Sequence, residues 1–447
     1  MNTPICDFVT EYAASEHLRF HMPGHKGTPL LGPEPMDITE ISGADSLYEA
    51  SGIIRQSEAN CSELFGCPTH YSTEGSSQCI RAMLFLCRIY ADVTGKPPII
   101  AAARNVHKVF LSGIALLDMK VRWLYPNKQE SYLSCCITPD ELEDYLSNTD
   151  EKPAAIYVTS PDYLGNMMDL QGLSQVCHRY GVLLVVDNAH GAYLKFLPNS
   201  MHPIDCGADL CCSSAHKTLP ALTGAAYLHI SSGLPVFMQE HAKTALSLFG
   251  STSPSYLILQ SLDGLNPYLS KDYSKRLASF CQTLKEYKKV LMQHGYSFIG
   301  DEPLKLTIAA KKYGYTGTEL ACILRNQGAE PEFADPDFLV FMLTPETEFT
   351  GIRTLVQILQ GVPKRPAIDV APPCPPQSQV VMTPREAMLR ASEILPVFLS
   401  EGRILASPSV GCPPAVPISI CGEVINRQAI ECFTYYGVEN VRVLIEK

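Results

Sequence analysis

The chain has 447 residues, 46% of them hydrophobic and 18% charged, the profile of an ordinary globular protein large enough for two or three cores. Its formal net charge of −11 argues against nucleic acid or an anionic membrane as the main partner. No basic region followed by an apolar stretch opens the sequence and no apolar run would span a bilayer, so a cytoplasmic protein is expected.

Seventeen cysteines are scattered, with adjacent pairs at Cys135-Cys136 and Cys211-Cys212 and no Cys-x-x-Cys. That pattern fits free thiols in a reducing compartment and gives no metal site. A polar helical pattern runs from Ile5 to Leu18, followed by His21-Met22-Pro23-Gly24-His25, whose histidines suggest a metal loop but read better as a rigid turn. Tyr71 to Gln78 opens a helix with apolar positions at Ile80, Met83, Leu84 and Leu86. Gly75-Ser76-Ser77 at its start offers backbone N–H groups, hydroxyls and a positive dipole end, which suit a phosphate; such residues also begin helices as plain caps.

Pro98–Ala103, Val121–Leu124 and Ala154–Thr159 read as strands, and Asp162 after the third reads as a turn cap rather than a contact for a cationic substrate. Val182 to Val186 is aliphatic throughout, as in a parallel strand buried on both faces, and Asp187 closes it. Ala208 to Cys212 is a second apolar run leading into Ser213-Ser214-Ala215-His216-Lys217, and Thr223 to Leu228 gives a return strand. Leu248 to Tyr256 is a polar loop entering a helix, with Pro254 near its first turn. Lys271–Gly295 is amphipathic, Leu304–Ile308 alternates as a half-buried strand, Thr316–Gln327 reads as a helix and Phe338–Leu343 as a strand. Pro366–Pro376 is a proline-rich linker, and a helix is expected over Pro384–Leu399.

A lysine just past a buried strand loses its proton readily and becomes a nucleophilic amine, the requirement of Schiff-base chemistry. A carboxylate ending a neighbouring strand keeps a pyridine nitrogen protonated, as pyridoxal 5'-phosphate (PLP) needs. Singly, Lys217 reads as a loop residue reaching water and Asp187 as a helix cap; together they are far more specific.

The stretches Phe20–Gly27, Arg104–Lys108, Asp187–Ala192, Ser214–Thr218 and Thr252–Tyr256 together resemble the Orn/Lys/Arg decarboxylase family, in its short form. The resemblance implies an α/β fold: a fold-type-I PLP-dependent large domain with a mainly parallel sheet, plus smaller α/β C-terminal parts. The implied division is an N-terminal arm (1–30), a PLP-binding domain (31–270), a small α/β domain (271–365), a linker (366–379) and a C-terminal α+β domain (380–447). It also implies decarboxylation of lysine, ornithine or arginine with PLP, by a homodimer whose active sites are shared between subunits.

By the same resemblance Lys217 carries the cofactor, Asp187 meets the pyridine nitrogen and His107 stacks on the ring. Gly75, Ser76, Ser77, Ser214 and Thr252 meet the phosphate, Thr252 that of the neighbouring subunit, and His190 and His216 assist protonation or contact the cofactor. The chain departs from the family's pattern at Glu74, which is expected to point away, and at Asp162, Cys412 and Ala415. Transamination or elimination on the same fold, and a non-catalytic PLP-binding homologue, remain alternatives.

Overall fold

Short runs, several of them aliphatic, become the strands of this chain in a computed structural model that describes residues 1–128, 131–408 and 414–446. Seven of them, β1 (Thr69–Ser72), β2 (Ile99–Ala103), β3 (Lys120–Leu124), β4 (Ala155–Thr159), β5 (Leu183–Asp187), β6 (Leu210–Ser213) and β7 (Ala226–Ile230), form one sheet. Its order is β1-β7-β6-β5-β4-β2-β3, and the sheet is large and mostly parallel. β5 pairs parallel with β6 and β2 with β3, while β7 runs antiparallel to β6 and β1. β5 is buried at every position, as a strand covered on both faces should be.

The chain divides into two compact units. The first comprises Met1–Pro97, Ala154–Ile156 and Cys177–Ala278. Its opening helix is Pro4–Ala14, shorter than the helical pattern reaching to Leu18. The Asp263 carboxylate accepts from the N–H groups of Ile5 and Cys6 at 2.9 Å each, satisfying donors that a helix start leaves over. The helix after the Ser255 cap is Tyr256–Ser270, so Pro254 lies just ahead of the cap, next to the first turn as expected.

The second unit comprises Pro98–Pro153, Tyr157–Val176 and Ser279–Lys447. It contains an antiparallel sheet of β8 (Phe298–Ile299), β9 (Lys305–Ala309), β10 (Phe333–Ala334) and β11 (Phe338–Met342), ordered β10-β11-β9-β8. β9 is buried at all five positions, not half-buried. Its polar side is covered by the 162–164 loop, whose carbonyls accept from Lys305 Nζ (3.0 Å to Asp162 O) and Thr307 Oγ1 (2.8 Å to Leu164 O).

The expected helix over Pro384–Leu399 is also corrected. Only Pro384–Met388 is α-helical; β12 (Ser392–Pro396) then pairs antiparallel with β13 (Asn440–Leu444). Val397, Leu405, Ile425, Phe433 and Val443 form the core beneath that ribbon.

Candidate active site

Asp187 ends β5 with 2% of its surface exposed. It accepts from the Ala189 N–H (3.1 Å) and the Cys212 thiol (3.5 Å), its register partner on β6. Burial, and then the Asp187 charge, push the Cys212 thiol well above its ordinary pKa, which keeps it a donor to that carboxylate.

The loop after Asp187 is pinned to β6 by Asn188, whose N–H donates to Cys212 O and whose Nδ2 donates to Ser213 Oγ, both at 3.0 Å. A Cβ on Gly191 would lie 1.9 Å from Asn188 Oδ1, so that turn closes only with glycine. Between these anchors sits His190, buried, with Nε2 3.0 Å from Lys217 Nζ. Lys217 comes from a single turn of helix, Ala215–Thr218, set on the end of β6. His216, half-buried, lies 2.8 Å from Ala225 O through Nδ1.

The same 222–225 turn holds the start of the long helix Gly75–Thr94: Gly75 N–H donates to Gly224 O at 2.7 Å. Gly75 adopts φ +71° with open space where a side chain would begin. Glu74, the N-cap residue, is exposed and makes no side-chain cap. Gln78 fixes the helix start by accepting from Ser72 Oγ (2.5 Å) and donating to Leu246 O (2.8 Å). Two buried hydroxyls, Ser214 Oγ and Thr73 Oγ1, have no hydrogen-bond partner among the described residues.

A family model for the major domain of Orn/Lys/Arg decarboxylases matches residues 3–299. The chain belongs to that family. An arginine decarboxylase of Bacillus anthracis is 27% identical over 96% of this chain and 92% of its own length. One from Halalkalibacterium halodurans is 29% identical, over 95% and 91% respectively. The lysine decarboxylase of Francisella novicida superimposes with a TM-score of 0.80 at 16% identity, covering 99% of this chain and 81% of that one, which shows the shared fold.

Family membership brings PLP as cofactor and amino-acid decarboxylation as the reaction class. The residues present fit that group. An uncapped helix start with a left-handed glycine suits a phosphate, and Ser214 supplies an unpaired buried hydroxyl. Asp187 supplies a buried carboxylate, and Lys217 an amine beside a histidine.

Of the remaining sequence candidates, Thr252 is exposed on the loop before the Ser255 cap. His107 belongs to the second unit, where its Nδ1 accepts from Val109 N–H (3.2 Å) and caps the helix Lys108–Leu116. Asp162 is a turn cap, as expected: it accepts from the N–H groups of Leu164 and Asn166 at 2.9 Å each and is fully buried. Cys412 lies outside the described residues. Among the described residues no group of three or more His, Cys, Asp or Glu side chains could hold a metal.

The sequence reading missed a buried ion pair. Arg104, 4% exposed, lies 3.3 Å from both Glu423 oxygens (1% exposed) and donates to Pro417 O and Ile418 O. Lys108 N–H donates to Ala415 O at 2.9 Å, so the 415–423 segment straps the turn that carries His107. An arginine inside a motif with an acid more than three hundred positions away carries no local signal of that pairing.

Proposed function

We propose that this protein decarboxylates a basic amino acid with PLP held on Lys217, and that arginine is the substrate to test first. The observation that carries the reading is the 3.0 Å approach of Lys217 Nζ to His190 Nε2, beside the buried Asp187. The arginine preference rests on the curated relatives that match nearly the whole chain.

PLP, when bound, supplies an electron sink for the pair left as the Cα–carboxylate bond breaks and CO2 leaves. Asp187 holds a proton on the pyridine nitrogen, which keeps the sink effective. The helix start at Gly75–Ser77 and the Ser214 hydroxyl would hold its phosphate. His107 caps its own helix through Nδ1, and stacking on the cofactor ring is the role proposed for it. Decarboxylation then needs one proton at Cα. Lys217 Nζ and His190 Nε2, 3.0 Å apart, are the groups that would hold and deliver that proton.

The exposed Thr252 contributes across the interface of a homodimer. The protein works in the cytoplasm, and the segment boundaries at 30, 270, 365 and 379 stand as part of the same proposal.

The test is the visible spectrum of PLP-loaded protein with trapped CO2 after adding arginine, lysine or ornithine separately. A yellow protein that releases CO2 from one of them supports the reading, and Lys217→Ala should remove both colour and turnover. His190→Gln should keep the colour and lower kcat by about 100-fold, the usual share of a positioned proton donor. A yellow protein that releases no CO2 would favour transamination or elimination. Unchanged turnover in Lys217→Ala would sink the proposal.

A further inference from the structure

In the second unit a cavity of about 340 Å³ is lined by Tyr132, Phe333, Tyr435, Tyr436, Val416 and Asp335. Asp335 is 6% exposed. Its Oδ1 accepts from the N–H groups of Asp337 (2.7 Å) and Phe338 (2.6 Å), while Oδ2 has no partner among the described residues. Burial, reinforced by the Asp337 charge and opposed by those N–H bonds and the Lys311 charge, pushes the carboxyl up to about 7. The Tyr436 hydroxyl is also buried without a partner among the described residues, and Tyr132 and Tyr436 meet edge to face at 4.7 Å.

The adjoining residues show what such a set accommodates. Lys311 Nζ lies 2.7 Å from Asp337 and 4.9 Å from the Tyr435 ring centre, so one carboxylate and one aromatic face already house an ammonium. Asp335 and Tyr436 repeat the carboxylate and the aromatic ring beside an open cavity, and their remaining oxygens have no donor. A neutral apolar guest would leave both unsatisfied; an anion would face Asp335 and Asp337.

We propose that this cavity is a second binding site, for an alkylammonium or guanidinium cation of the class that amino-acid decarboxylation releases. The identity of the cation rests on the decarboxylase reading, whereas the charge the site selects does not. Val416, in its wall, lies between Ala415, which accepts from Lys108 N–H, and Pro417, which accepts from Arg104. Occupancy is therefore felt by the strap on the His107 turn.

The experiment is calorimetric titration of dialysed, PLP-loaded protein with agmatine, cadaverine and, as a neutral control, pentanol. Asp335→Asn keeps an acceptor for the 337 and 338 amides while removing the charge, and Tyr436→Phe removes only the hydroxyl. The expected result is an amine-binding event that weakens about tenfold or more in Asp335→Asn, one charge contact in a shielded cavity, and that also weakens in Tyr436→Phe. Pentanol should not compete. Unchanged amine affinity and stoichiometry in Asp335→Asn, or pentanol binding as tightly as the amines, would overturn the proposal. Should Asp335→Asn fail to fold, unchanged affinity in Tyr436→Phe does the same. CO2 release assayed on the same samples keeps the outcomes apart, because charge-selective binding that depends on Asp335 can hold even if no basic amino acid is decarboxylated.

Discussion

Replacing Glu423 by alanine would strand a guanidinium inside the protein. Arg104 would lose the carboxylate that faces it at 3.3 Å and keep neutral partners: Pro417 O, Ile418 O, the Tyr125 side chain and the Trp123 ring, 5.4 Å away. Removing one member of a buried pair costs about 3–5 kcal/mol, and the two retained carbonyls put this case near about 3. Ile420 N–H, which donates to Glu423 at 2.8 Å, loses its acceptor as well. The assay is urea unfolding followed by Trp123, the single tryptophan, whose ring faces Arg104. The control is the double variant Arg104→Met with Glu423→Leu, which removes both charges and should recover to within about 1 kcal/mol of the parent. A single variant that costs less than about 1 kcal/mol would refute the buried-pair reading. So would a double variant that falls as far as the single one.

Ala415 adopts φ +58°, where a side chain costs about 1–2 kcal/mol. After the entropy that glycine adds to the unfolded chain, Ala415→Gly should stabilise by up to about 1 kcal/mol, read as a higher thermal midpoint. His202 is fully buried, which pushes its imidazole down to about 3 from an ordinary 6.5. Its contribution to stability is therefore complete above pH ~6.5 and is lost as pH falls toward 3, amounting to about 2 kcal/mol by pH 5. Urea midpoints at pH 7 and 5 should show that loss, and His202→Asn should remove it. Trypsin should cut first after the exposed Lys364, just before the 366–379 segment, since Pro366 blocks the bond after Arg365; a first cut inside the 31–270 segment would contradict the proposed boundaries.

The strands with pure aliphatic runs were legible because a doubly covered strand writes its burial at every position. Asp187 was legible because it closes such a run, and His190 and Lys217 because they follow soon after β5 and β6. Their mutual geometry was not, because the 3.0 Å approach depends on the Gly191 turn and the pairing of β5 with β6. β9 misled because Lys305 and Thr307 look solvent-facing, yet a loop some 140 positions earlier in the chain supplies their acceptors. The 384–399 segment lacks glycine, and nothing local announces that 392–396 pairs with 440–444. The Asp335 cavity draws on residues from 132 to 438, beyond any window that reads periodicity.

The carbonyl of Ala225 has a consequence for His216. A carbonyl only accepts, so the 2.8 Å contact places a proton on Nδ1. Burial lowers the imidazole pKa, which favours the neutral ring and leaves Nε2 with a bare lone pair. His216 is thereby sorted into a fixed tautomer: whatever meets its outer edge at neutral pH must bring its own hydrogen. A phosphate oxygen is a poor neighbour for that lone pair, and a protonated amine a good one.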